Sequence, residues 1–280
     1  MLRAMGVGAG AGLLAFIFAR IFAEPVIQAA IDYEGARDDV KTALAVAAGH
    51  APDAEGPDIF SRTVQANIGL GVGMVLFGVA LGCFFGVAYC LSYGRTGDIR
   101  PRQLALLVSG AGFLSLYLVP FIKYPANPPS IGNPDTIAQR GALYLTMTVA
   151  SVVVTVAAVW LGQRLRERFG SWNATLLAAA AAVVVLGIVM ALLPTLGSLT
   201  VNAAAAPGHL TETPLPLKNA AGQLVFPGFD ADDLYRFRLY SVLAQVIFWT
   251  ALALGFAPLA DRVFDAYGKP TQQQVAAAAH

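Results

Sequence analysis

Charge is scarce in this chain. Lys, Arg, Asp and Glu make up 12% of its 280 residues, about half of the roughly 25% carried by soluble globular domains. That excludes a water-facing surface over most of its length, and the net charge of +1 excludes the basic excess of a nucleic-acid binder. Cysteine is equally sparse. Cys83 and Cys90 stand seven residues apart within one apolar run, near one helix face. They imply no disulfide framework and read as packing residues. Catalytic signatures are missing too: there is no Walker sequence, Gly-rich dinucleotide loop, HExxH, CxxC or GxSxG. Asp230, Asp232 and Asp233 lack the glycine and terminal Glu of a calcium loop. The chain reads as neither an enzyme nor an ATP-driven pump, with no tightly bound cofactor.

Apolar length is what the chain has. Hydrophobic residues reach 57% and the mean hydropathy is +0.63. Six stretches approach the roughly 20 apolar residues needed to cross a bilayer: Ala4 to Ala23, Asn67 to Tyr93, Leu104 to Ile122, Gly141 to Leu161, Ala174 to Leu196 and Leu239 to Ala260. They are continuous and lack the alternating dyads of a barrel strand, so helices are the spanning structure. The fold expected is an all-α, polytopic bundle of five to six spans, forming one transmembrane domain over residues 1–268. The first run carries Arg20 just before Ala23, which favours a retained span over a cleaved signal peptide. Residues 269–280 read as a flexible tail.

Two short loops are arginine-rich: Arg95, Arg100 and Arg102, then Arg164, Arg166 and Arg168. Short basic loops stay cytoplasmic, which places both termini inside. The long segments 34–66 and 197–238 then lie outside and hold most of the carboxylates. Their composition reads as mobile surface with a few ordered turns, on a face acidic enough to gather cations.

Within this frame a few residues carry chemistry. The second span presents Gly69, Gly73, Gly78, Gly82 and Gly86, and the first presents Gly6 with Gly10 and Gly8 with Gly12. A spacing of four stacks glycines on one face, the pattern of close helix packing. Arg20 and Glu24 stand one turn apart just before Pro25, as an interfacial pair or with Glu24 as a transient cation ligand. His50, near Asp53, Glu55 and Asp58, offers the mixed nitrogen and oxygen donors that bind cobalt, nickel or zinc. The third span ends in Lys123-Tyr-Pro-Ala-Asn-Pro-Pro129. Its prolines cannot donate hydrogen bonds and must end the helix, so the run is a membrane-surface cap or part of a site. Arg20, Lys123, Arg140, Arg236 and Arg238 lie at helix ends on the same side and read as a polar network around an outer vestibule.

These residues resemble a known family. Phe18-Ala-Arg20 with Glu24-Pro25, Ser61-Arg62 with Gln65, the glycine-repeated second span, Leu116 through Pro129, Asp135-Thr-Ile with Arg140 and Leu143-Tyr144, Trp172-Asn173-Ala174 and Leu234-Tyr-Arg-Phe-Arg-Leu239 resemble CbtA, a family of predicted cobalt transporter subunits, across nearly the whole chain. The resemblance implies a bacterial inner-membrane protein linked to cobalamin synthesis. It implies import of cobalt(II) with a small one-span, histidine-containing partner subunit. The family's first outer loop is often rich in histidine, whereas this one keeps only His50. Glu24, Asn127, Asp135 and His50 are the expected metal donors. The alternative is a non-transporting subunit that packs against or assembles a larger membrane complex.

Overall fold

Long apolar runs can satisfy their backbone polar groups within lipid only by closing into helices. The computed structural model describes residues 1–51, 61–97 and 99–268, with side chains up to residue 262. Asp53, Glu55, Asp58 and the 269–280 tail lie outside the described residues. Helix α1 runs unbroken over Leu2–Ala47, α2 over Arg62–Ser92 and α3 over Pro101–Lys123.

The next helical stretch, Ile137–Leu192, contains one non-helical residue, Gly170, at φ 74° and ψ 166°. In a straight helix rising 1.5 Å per residue, positions 162 and 178 would stand about 24 Å apart. Instead, a Cβ placed on Gly162 lies 3.5 Å from the Ala178 Cβ. The chain therefore doubles back at Gly170, where a positive φ costs glycine little. Its arms are α4 (137–169) and α5 (171–192). They correspond to the two spans expected on either side of the second arginine-rich turn.

A short helix α6 (Thr200–Ala205), a two-stranded antiparallel hairpin of β1 (Leu217–Lys218) and β2 (Leu224–Phe226), and the long helix α7 (Ala231–Gly268) complete the order. Among the described residues five helices are long and apolar enough to cross a membrane, with α4 and α5 counted as one. The protein is a multi-pass, all-α membrane bundle.

By its contacts the chain divides into two compact units, and α1, α2, α3 and α7 each contribute to both. The first unit comprises Met1–Ile17, Gly69–Leu114 and the chain from Gln245 onward. It is built on glycine. A Cβ on Gly8 would strike the carbonyl of Gly78, and one on Gly78 would strike the carbonyl of Gly8; Gly82 stands in the same relation to Ala4. Gly86 meets Ala4 and Met1. Of the five glycines expected to pack from α2, Gly73 does not, since a Cβ there would meet nothing within 4 Å. The reason is spacing. Gly73 precedes Gly78 by five residues, not four, which rotates it about 140° off the packed stripe. Gly69 ends the irregular turn that opens the apolar part of α2. Elsewhere in this unit, Gly112 leaves room for the Trp249 ring. Ser109 donates to the Trp249 carbonyl at 2.7 Å.

The second unit, Phe18–Ile68 and Ser115–Ala244, contains the polar ends of the helices. Three of these helices carry a π-helical turn: Ala19–Ala23 in α1, Gln65–Gly69 in α2 and Phe113–Leu118 in α3. Such turns insert one residue into the i→i−4 ladder and recur at functional sites. The segment after α5, expected as mobile surface, is folded onto the extension of α1. Tyr33 donates to the Pro227 carbonyl and Arg37 to the Leu215 carbonyl. Ala30, Ile131 and Phe229 are buried together, with Tyr33 and Leu234 against them. Asp230 caps α7 by accepting the backbone N–H groups of Asp232 and Asp233.

Candidate functional site

Three sets of polar contacts occupy the second unit, and each centres on a side chain that lipid would penalise if left unpaired. The first begins at Glu24, which α1 buries directly after its π turn. Spacing suggested Arg20 as its partner. Instead Arg62 at the start of α2 forms an ion pair with the Glu24 carboxylate and donates to Gln28 Oε1 at 3.1 Å. Arg20 turns to Asn67 Oδ1 at 2.8 Å. The two π turns lie beside these partners, and the inserted residue in each changes which side chains share a face.

The second set holds the proline-rich run. Its prolines offer carbonyls but no donors, so side chains from other helices supply them. Arg238 of α7 donates to the Ala126 carbonyl at 3.2 Å and to Asn127 Oδ1 at 2.9 Å. In the other direction, Lys123 donates to the Leu193 carbonyl at 2.9 Å and Tyr124 to the Pro194 carbonyl at 2.8 Å. Leu193 caps α5, whose last carbonyls lack intrahelical partners, and Pro194 follows it. Burial pushes the Tyr124 phenol above its ordinary value. The run thus ties α3 to α5 and α7, a role beyond ending one helix.

The third set was not anticipated. The Glu212 side chain is fully buried, 0% exposed, and forms an ion pair with Arg140 of α4, with Nε 3.1 Å from Oε2. The alignment falls short of a hydrogen bond. Glu212 Oε1 accepts from Thr136 at 2.5 Å and from Asn202 of α6 at 2.6 Å. Asn133 donates to Asn202 Oδ1 at 2.8 Å. Gly132, at φ 153°, leaves the room that Arg140 needs: a Cβ there would stand 2.6 Å from Nη1. A cleft of about 340 Å³ opens above this set, lined by Glu34, Arg37, Gly132, Asn133, Asn202 and Glu212 among others. One sequence signal pointed here. Glu212 is the only carboxylate between Glu167 and Asp230.

The four expected metal donors fall in different surroundings. Glu24 is taken by Arg62 and Asn127 by Arg238. Asp135 is exposed in the first turn leading into α4, and His50 is exposed just past the end of α1. Among the described residues no group of three or more His, Cys, Asp and Glu is placed to hold a metal ion. The five basic residues expected as one network divide likewise: Arg20, Lys123, Arg140 and Arg238 each take a separate partner, and Arg236 is exposed.

Residues 1–261 match the family described as "Probable cobalt transporter subunit (CbtA)". The chain belongs to the CbtA family. No curated protein and no solved structure matches it. The CbtA match covers α1 through all but the last turns of α7, and so includes all three polar sets. Membership of a transporter-subunit family implies a role other than catalysis.

Proposed function

We propose that this CbtA chain is the membrane-spanning subunit of a cobalt(II) uptake system. It acts with a small one-span, histidine-containing partner and supplies cobalamin synthesis. In this reading it sits in the bacterial inner membrane with both termini in the cytoplasm. The arginine-rich turns face inward, and the Glu212 cleft and the proline-rich run face outward. Cobalt(II) is the cargo, received at the acidic outer face by His50 and Asp135 and passed toward Asn127 and Glu24.

The observation that carries the reading is Glu24, a buried carboxylate on a spanning helix, held by an arginine. The Arg62 guanidinium neutralises it while no cargo is present, which avoids an uncompensated charge at this depth. An arriving cation competes with the guanidinium for the same oxygens. Exchange of one positive partner for another keeps the carboxylate paired throughout, so passage needs no bare buried charge. Arg238 donates to the neutral amide oxygen of Asn127, which the cation would take over without any exchange of charge. Neither donor set resembles a permanent metal site, as suits cargo that must leave again.

The test is uptake of radioactive cobalt by cobalt-limited cells with and without the gene. Uptake falls on deletion if the reading holds, and unchanged uptake contradicts it. One observation favours the alternative of a non-transporting assembly subunit: both Glu24 and Asn127 already have protein partners. Co-purification of a partner with no cobalt-dependent stabilisation of the bundle would support that alternative.

A further inference from the structure

The last turns of α4, just before the reversal at Gly170, hold an arrangement that cobalt passage does not use. Arg164, Arg166 and Arg168 are all exposed there, opposed only by Glu167. Among the described residues none of the three makes an ion pair or a hydrogen bond. Two are held from one side by aromatic rings: the guanidinium carbon of Arg164 is 5.1 Å from the Trp160 ring centroid, and that of Arg168 is 5.5 Å from the Phe169 centroid. A cation this close to an aromatic ring is attracted to it without using its N–H donors. Those donors match the geometry of phosphate oxygens.

The surroundings identify the ligand. Trp160 is 56% exposed and Trp172 75% exposed, on either side of the chain reversal at Gly170. Exposed tryptophans at the end of a span belong at the level of lipid headgroups. The stretch Pro134–Ser198 is also the least covered by the rest of the chain: 6% of its most apolar window is buried, against 17% to 28% for the other spanning helices, which leaves apolar surface for lipid chains. A freely dissolved anion would gain nothing from the tryptophans or the apolar arms. A lipid uses both, with its phosphate at Arg164 and Arg168 and its chains along α4 and α5.

We infer that the end of α4 binds the headgroup of an anionic phospholipid through Arg164 and Arg168, which lie one turn apart on the same side of the helix as Trp160, with Trp160 beside its glycerol. The site is independent of cobalt passage and stands or falls separately from it.

The experiment uses the full-length protein in neutral-detergent micelles, with bound lipid counted by native mass spectrometry after exchange into phosphatidylglycerol or phosphatidylcholine. With two arginines on that face, the preference for phosphatidylglycerol is expected to be roughly 30-fold. The double replacement R164Q/R168Q abolishes the preference, the corresponding double lysine variant keeps part of it because the charge remains, and Arg166→Gln, on the opposite side of α4, leaves it. If the double glutamine protein does not fold, Arg164→Gln and Arg168→Gln singly are each expected to lower the preference about fivefold. Equal retention of both lipids by the wild type, or an undiminished preference in the glutamine variants of Arg164 and Arg168, overturns the inference. Displacement of the lipid by millimolar inorganic phosphate also overturns it, since the site would then belong to a dissolved anion.

Discussion

Arg140 and Glu212 meet at 3.1 Å although they come from different parts of the chain, Arg140 from the first turns of α4 and Glu212 from the segment after α6. The Glu212 side chain has no exposure to solvent. Its charge is balanced by Arg140 and shared with Thr136 and Asn202. The pair fastens the segment after α5 to the start of α4.

Removing one partner of such a pair leaves the other as a buried, uncompensated charge. Arg140→Ala is therefore expected to cost roughly 3 kcal/mol, read as a lowered unfolding midpoint in detergent. Glu212→Gln keeps the shape and the acceptor for Thr136, so its cost should be smaller. Gly132→Ala should resemble Arg140→Ala, because its Cβ would push the guanidinium aside at a backbone angle that alanine also resists.

The glycine contacts give a paired prediction. Gly78→Ala places a methyl group against the Gly8 carbonyl and should destabilise by about 1–3 kcal/mol. Gly73→Ala meets open space and should be neutral or stabilising by up to about 1 kcal/mol through helix propensity. Thermal unfolding of the two proteins side by side checks this. Equal destabilisation would mean that the α1 and α2 stripes are not in contact.

Much of this was readable beforehand, and the limits have physical causes. Continuous apolar length marks the spans, because lipid allows only helices or closed barrels and the runs lack the alternation of barrel strands. The prolines after Lys123 fix the end of α3. The break between Gly73 and Gly78 is also present in the sequence, as a spacing of five between two successive glycine repeats. Pairings were less accessible. Arg20 and Glu24 are neighbours on a regular helix, and the π turn that separates their partnerships has no composition signature. Glu212 is one carboxylate among Thr, Pro and Ala. Its importance arises only when folding brings Arg140 and Asn202 to it.

The Tyr124 phenol provides a pH test. Burial raises its pKa above the ordinary value of 10.0. Its contribution is therefore fully present below that value and is lost as pH rises through the higher folded-state pKa. Wild type and Tyr124→Phe should differ by a constant amount of about 1 kcal/mol at neutral pH, the net worth of the hydrogen bond to Pro194. The difference should shrink as pH is taken above about 10. A difference that instead changes between pH 6 and 8 would show that Tyr124 is not the group responsible.

The central claim is that cobalt(II) exchanges with Arg62 at Glu24. Glu24→Gln keeps the size and a hydrogen-bond acceptor for Arg62 while removing the charge that a divalent cation needs. The decisive measurement is the initial rate of radioactive cobalt uptake by cobalt-limited cells carrying either protein, matched for the amount of folded protein in the membrane. The account predicts a rate at least about tenfold lower for Glu24→Gln, since each tenfold step corresponds to about 1.4 kcal/mol of lost cation stabilisation. Equal rates would contradict it and leave Glu24 a purely structural partner of Arg62.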